Sequence, residues 1–389
     1  MQLDFHYYAT YCAAAIAGYT HEESCSIAYS AQFTDCCSRT LLAKIGGPLS
    51  AATTQLSLEM MDADTTKVGL QDITRIWASF HFLPGDLYAE REKKCSKQFL
   101  RKYRMICNPN GELIKDTVEL ARGKGTEAAG VAMHVLADTW AHRYFAGTPS
   151  LCINNTNYYF YELIPDHEGG FTERQIKFNH NPGGTDDPEK GVYTNSLSQN
   201  DENNIMNLGH GRCGHFPDYS FARYRYMPAW GGYKEIIKDN PDDYLHAFCQ
   251  MVYALKSLRE DGGSFETHRY ATEEIMPYYK YIEHILQIRQ TDSCAEWKAL
   301  GESISHCEIP DFDIERYQQE YMDAPEGVHY KTYLGRFIMA ALAQKSMVTN
   351  RIYTSGSRLA GISVDYDKEG FRGNKDFKRL KKQKEAQDD

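Results

Sequence analysis

Between Gly130 and Phe145 the chain is proline-free and mostly apolar, yet it carries His134, Asp138 and His142 at intervals of four. An α-helix turns about 100° per residue, so positions four and eight residues on are rotated by only about 40° and 80°. A helix through this stretch is therefore a buried one with two imidazoles and a carboxylate along one stripe. Titratable groups in such surroundings are paired with one another or with a cation. Neutral imidazole nitrogen and carboxylate oxygen are ligands that zinc accepts. A lone histidine here would read as a core residue hydrogen-bonded to its neighbours. Three polar groups at i, i+4 and i+8 read as metal ligands, by the logic of His-x-x-x-His zinc helices.

A second source of the same ligand types lies at the N-terminus. Residues 4–45 read as two helices, the first ended by Gly18 and the second opened by a Thr20/Glu23 capping box. Antiparallel helices joined by a short turn bring the start of one near the end of the other, so His6 can approach Asp35. Docking both ends on His134 and Asp138 builds a four-ligand site with room for water. The plain alternative has Asp35 capping or ion-pairing and His6 hydrogen-bonding locally. His81, apolar on both sides in Ser79-Phe-His-Phe-Leu-Pro84, is either a ligand or a satisfied core histidine. In Gly209-His-Gly-Arg-Cys-Gly-His-Phe-Pro-Asp218 the glycines permit close backbone approach around His210, His215 and Asp218. His210 is a candidate ligand; His215, Asp218 and Arg212 are candidates to support ligands or meet substrate. Asp4 is placed to orient an imidazole. His21, His167 and His180 fall in turns or polar loop and read as bystanders. Arg212, Arg223 and Arg225 match phosphate geometry, but arginines beside tyrosines also serve as packing residues.

The remaining segments are mostly helical in spacing. Leu49–Asp62 fits a strand or a helix, Lys93–Arg104 a solvated basic segment, and Asp116–Phe145 a helix or helix pair. Asp242–Glu260, Thr272–Gln290, Ser293–Cys307 and Ile314–Gln344 carry helical periodicity, with Pro241 suited to a first helical position. Residues 147–217 are turn-rich and lack periodicity, which predicts a long irregular loop region acting as a lid or pocket wall. The expectation is an all-α, multi-helix single domain over residues 1–365, with a polar, flexible tail at 366–389.

A net charge of −10 argues against a dedicated nucleic-acid backbone binder, though not against a nuclease whose divalent cations supply positive charge locally. The 11 Cys are scattered without a C-x-x-C, so they form neither a zinc ribbon nor a secreted disulfide framework. The opening residues lack the charged start of a leader, and no apolar run of about 18 residues occurs. A cytoplasmic protein without a transmembrane segment is expected. Nucleophile-elbow, phosphate-loop and dinucleotide motifs are absent from the sequence.

Met133-His-Val-Leu-Ala-Asp-Thr-Trp-Ala-His142 resembles the His-x-x-x-Asp helix of the zinc-dependent phospholipase C and S1/P1 nuclease superfamily, whose members are all-helical and bind clusters of zinc ions. Asp4-Phe-His-Tyr-Tyr-Ala-Thr-Tyr11, Ala28-Tyr-Ser-Ala-Gln-Phe-Thr-Asp35, Phe80-His-Phe-Leu-Pro84 and Gly209-His-Gly211 look more specifically like DUF6765, a bacterial family of uncharacterised proteins. The superfamily resemblance implies His134 and Asp138 as ligands, and His6 and Asp35 with them. The phospholipases use a mature N-terminal Trp as a ligand, whereas this chain starts with Met. Their later His-x-x-x-Glu pair has no counterpart here, and His142 follows Asp138 at a shorter spacing.

The implied chemistry is hydrolysis of a small-molecule or lipid phosphoester. One to three divalent ions, zinc by preference, would lower the pKa of a bound water and polarise the phosphoryl oxygen. Asp35 or Asp138 would accept a proton as the water attacks. With 28 Tyr and 17 Phe, the walls suit a lipid chain or a nucleobase equally. The rival expectation is a non-enzymatic helical protein with a structural metal, or a tyrosine-rich surface that binds a partner.

Overall fold

In the computed structural model the apolar stretch forms a helix, Thr126–Ala141, and every side chain from Glu127 to Ala141 is buried. The structure describes residues 1–361 except 63–66, 92–93, 157–158, 181–183, 196–201, 203 and 326, together with 366–367 and 370–371. The expected flexible tail thus lies almost wholly outside the described residues. Helix His21–Cys36 packs on one side of this central helix and helix Asn240–Arg259 on another. Helices Glu112–Ala121 and Tyr333–Thr354 complete its surroundings. Gly130 sets how closely the first pair approach: a Cβ there would collide with the Ile27 carbonyl and the Ser30 side chain. That contact brings the end of His21–Cys36 alongside Asp138.

The N-terminal hairpin forms as its punctuation predicts. Gly18 takes φ 87° after the helix Thr10–Ile16. At the next helix the Glu23 amide donates to Thr20 Oγ1 at 3.2 Å, and the Thr20 amide donates to Glu23 at 2.9 Å. Ahead of Thr10 the chain runs as a π-helical segment, Asp4–Ala9, which buries Phe5, His6, Tyr7 and Tyr8 together. π-Helical turns are rare and recur at functional sites. Thr272–Gln290 divides at Pro277 into Thr272–Ile275 and Tyr279–Gln287. Among the described residues of Ile314–Gln344, only Gln318–Asp323 and the start of Tyr333–Thr354 are α-helical.

The fold is mixed α/β and not all-α, because helices make up 53% of the described residues and a four-stranded antiparallel sheet and a two-stranded parallel one stand beside them. Strands β1 (Tyr161–Pro165), β2 (Phe171–Gln175), β3 (Lys177–Asn179), β4 (Val192–Thr194), β5 (Arg223–Tyr226) and β6 (Ile236–Asp239) arise largely where an irregular region is expected. They form an antiparallel sheet in the order β2-β1-β5-β6 and a parallel pair, β3 with β4. The reason is visible in β5, where Tyr224 and Tyr226 are buried while Arg223 and Arg225 reach outward to Asp239 and Glu173. Alternation written in arginine and tyrosine carries little hydropathy contrast, so the strand period of two is muted. The two tyrosines join Phe82, Phe145, Phe160 and Phe216 in a small aromatic core separate from the helical one.

Candidate metal centre

His134 and Asp138 project from adjacent turns of the central helix, and His142 caps its C-terminal end. The π-helical segment supplies His6, the helix His21–Cys36 supplies Asp35 near its end, and His81 directly follows helix Lys67–Phe80. All of these except Asp35 are buried; Asp35 is 29% exposed.

Asp138 is the hub, and its two oxygens face different partners. Oδ1 lies 3.1 Å from His6 Nε2, and Oδ2 lies 3.3 Å from both His81 Nδ1 and His134 Nε2. Asp35 is divided the same way: Oδ2 is 3.8 Å from His6, and Oδ1 is 3.6 Å from His81 and 3.8 Å from His134. The His6 and His134 rings stack with centroids 3.9 Å apart. His142 Nε2 lies 3.0 Å from Asp218 Oδ1, and His210 Nε2 lies 3.5 Å from Asp218 Oδ2. The amino group of Met1 sits between the halves, 3.1 Å from Asp138 and 3.2 Å from Asp218.

Three imidazoles have their tautomer fixed by a backbone carbonyl. His81 Nε2 donates to Thr53 O at 3.0 Å, His142 Nδ1 to His81 O at 2.6 Å, and His210 Nδ1 to Gly214 O at 2.7 Å. A carbonyl only accepts, so in each neutral ring the other nitrogen is a lone pair aimed at a carboxylate. A proton or a metal ion between lone pair and carboxylate would satisfy both, and His134 Nε2, 3.3 Å from His81 Nδ1, is a further partner for that ring. Such outer hydrogen bonds are the usual partners of metal-bound histidine. Among the described residues His6 Nδ1 and His134 Nδ1 have no hydrogen-bond partner, and His6 Nε2, though close to Asp138, is not in hydrogen-bonding geometry with it, an unusual condition for buried polar atoms.

The electrostatics sort the donors: burial of His81 is outweighed by Asp138 and Asp35, which hold it above the usual imidazole range, whereas His6 and His210 are driven below it. Burial, reinforced by the charge of His134, pushes His6 down to about 4, and burial pushes His210 to about 4. Burial opposes the charge of Asp138, but His142, the Met1 amine, His134 and His6 outweigh it and hold the carboxyl well below its usual range. Asp218 is held down likewise, with the Met1 amine and His210 overcoming burial. At His6 and His210 this gives neutral imidazole beside ionised carboxylate, the state that metal binding requires.

Three groups of side chains thus have the donor atoms and spacing to hold a metal ion: His6, His134 and Asp138; Asp35, His81 and His134; and His142, His210 and Asp218. A family model described as a family of unknown function, DUF6765, matches residues 1–352. The chain belongs to that family. Every residue of the three groups falls inside the matched range of DUF6765. No curated protein and no solved structure matches the chain.

Other sequence candidates end up elsewhere. Asp4 accepts from the Phe5 and Ser293 amides at 2.8 and 3.2 Å and so ties the N-terminal segment to the chain at Ser293, where an imidazole partner was expected. Arg212 reaches Asn207 at 3.4 Å. His215 Nδ1 lies 3.5 Å from Asp218, with its side chain 55% exposed. His21 bonds Tyr11, and His180 bonds Asn195. His142 meets the Gly/His loop through its Nε2, a partner that helical spacing alone does not foretell. Sequence reasoning missed Thr53 and Gly214, whose contributions are carbonyls and carry no side-chain signal. Among the described residues no helix is long and apolar enough to cross a membrane.

Proposed function

We propose that this DUF6765 protein is a metal-dependent hydrolase of phosphoesters that holds up to three divalent cations, zinc being the cation its donors suit best. What carries the reading is the set of lone-pair nitrogens aimed at carboxylate oxygens, that of His81 at Asp138 and those of His142 and His210 at Asp218. An imidazole nitrogen has one lone pair and serves one ion, whereas a carboxylate has two oxygens. Asp138 and Asp35 would each give one oxygen beside His6 and the other beside His81 and His134. His142, His210 and Asp218 would hold a further ion. The likeness of the central helix to zinc-dependent phospholipases and nucleases points the same way.

Bound divalent cations supply an activated water and polarise a phosphoryl oxygen. Asp35 is the carboxylate in this cluster best placed to take a proton from an incoming water, because it alone of the helix-borne donors is partly exposed. Asp138, 1% exposed and approached on both oxygens, is suited to holding the site together. The low-dielectric surroundings strengthen every charge–charge contact made there. Substrates in reach of this chemistry are phosphomonoesters and phosphodiesters, of small-molecule or lipid type.

The test is elemental analysis of protein purified without added metal, followed by assays on p-nitrophenyl phosphate and bis-p-nitrophenyl phosphate before and after chelation and zinc return. Turnover that disappears with the metal and returns with it is expected. A second reading is favoured by the depth of the cluster: closed coordination by protein ligands marks a structural zinc. It predicts a large fall in melting temperature on chelation with no turnover in any assay.

A further inference from the structure

The donors on the helices are held by packing, but Asp218 belongs to a 3₁₀ turn, Phe216–Asp218, and His210 to the preceding glycine-rich loop. What steadies that turn comes from later in the chain, where β6 runs into helix Asn240–Arg259. Asn240 is fully buried. The two N–H bonds of its Nδ2 donate to the carbonyls of Phe216 at 3.0 Å and Tyr219 at 2.7 Å, with the Pro217 carbonyl at 3.4 Å sharing one of them, so one amide grips the backbone on both sides of Asp218. Tyr244, one turn along the same helix, adds a hydroxyl bond to the Pro217 carbonyl at 3.1 Å.

The direction of that amide is set by a buried cation. Lys238 Nζ donates to Asn240 Oδ1 at 3.1 Å, and an ammonium has nothing to accept with, so the amide nitrogen is turned toward the three carbonyls. Lys238 also donates to the carbonyl of Trp140 at 3.1 Å, two residues before His142, and pairs with Asp243. A buried ion pair adds little stability over apolar residues of the same volume. Apolar residues, however, could neither hold the Trp140 carbonyl nor orient Asn240. One buried network therefore grips the helix end that carries His142 and the turn that carries Asp218.

We propose that Asn240, oriented by Lys238, is the positioning residue of the His142–His210–Asp218 group and sets its affinity for a divalent cation independently of the groups around Asp35 and Asp138. The inference rests on the metal reading above. Replacing outer partners of metal ligands commonly costs about 10- to 100-fold in metal affinity. Asn240→Asp keeps the size of the side chain while turning an acceptor toward three carbonyls.

Metal-free wild type, Asn240→Asp and Tyr244→Phe would each be titrated with Zn²⁺ against a chromophoric chelator, with thermal melts in parallel. Wild type is expected to take three ions. In Asn240→Asp one ion should weaken by about 10- to 100-fold while the other two keep their affinity. Tyr244→Phe, the milder change, should weaken the same ion about threefold to tenfold, the worth of one neutral hydrogen bond. Should Asn240→Asp fail to fold, Tyr244→Phe decides. Wild-type affinity for all ions in a folded variant, or equal weakening of every ion, overturns the positioning role. A wild type that takes no zinc overturns the metal reading, and this inference falls with it.

Discussion

His134 and Asp138 reach the cluster from a helix enclosed by other helices, whereas Asp218 and His210 reach it from a turn and a loop beside the sheet. The helical half is steadied by close packing, seen in the Gly130 contact with Ile27 and Ser30. The loop half is steadied by polar groups: Asn240 on the backbone around Asp218, and the Gly214 carbonyl on His210. Burial of apolar surface fixes a helix as a whole, but a turn offers too little of it and must be held bond by bond.

The largest effect is expected from Asp138→Ala. In metal-free protein it leaves the Met1 amine and His81 buried without their main counter-charge, and should cost about 3–5 kcal/mol in a urea melt. In the loaded protein it should remove two ions and leave the one at Asp218. His210→Ala should do the converse, removing a single ion with a smaller change in stability. Elemental analysis reads both, and equal ion loss in the two variants would erase the distinction between the halves.

A gentler test concerns Lys345, on helix Tyr333–Thr354, which donates to the Ala52 carbonyl at 2.7 Å next to Thr53. Burial pushes its pKa down to about 7, although Asp72 and Cys37 pull the other way. From about pH 7 to about 10 the unfolded chain binds the proton that the folded one has released, so stability rises with pH across that window. Buried tyrosines and cysteines act oppositely above about pH 8.5, so the quantity to read is the difference between wild type and Lys345→Met in denaturant melts. That difference should move in favour of wild type as pH rises; a flat difference would mean that the lysine keeps its proton in the fold. Smallest of all, His180→Ala removes a surface contact to Asn195 and should leave ion content unchanged and stability within about 0.5 kcal/mol.

Much of the helical half was legible because its signals are local. The spacing of His134, Asp138 and His142, the Thr20/Glu23 box and the approach of His6 to Asp35 all follow from helix geometry over short distances. The sheet was not legible. In β2, Phe171-Thr-Glu-Arg-Gln175 is exposed over most of its length, so no buried face writes a pattern. Lys238 and Asn240 read as ordinary polar residues before a helix, and only the fold brings them against Trp140 and Asp218. The tethering of His81 by Thr53 is equally a matter of tertiary contact.

Asp35 also has a kinetic meaning. Its side chain is 29% exposed and that of His210 17%, whereas His6, His81, His134, Asp138 and His142 are sealed. On the metal reading proposed above, ions and solvent would reach the described residues of the cluster beside these two side chains, one on each half. Crowding the approach beside Asp35 would slow arrival and departure there while leaving the equilibrium preference of the sealed ligands where it was.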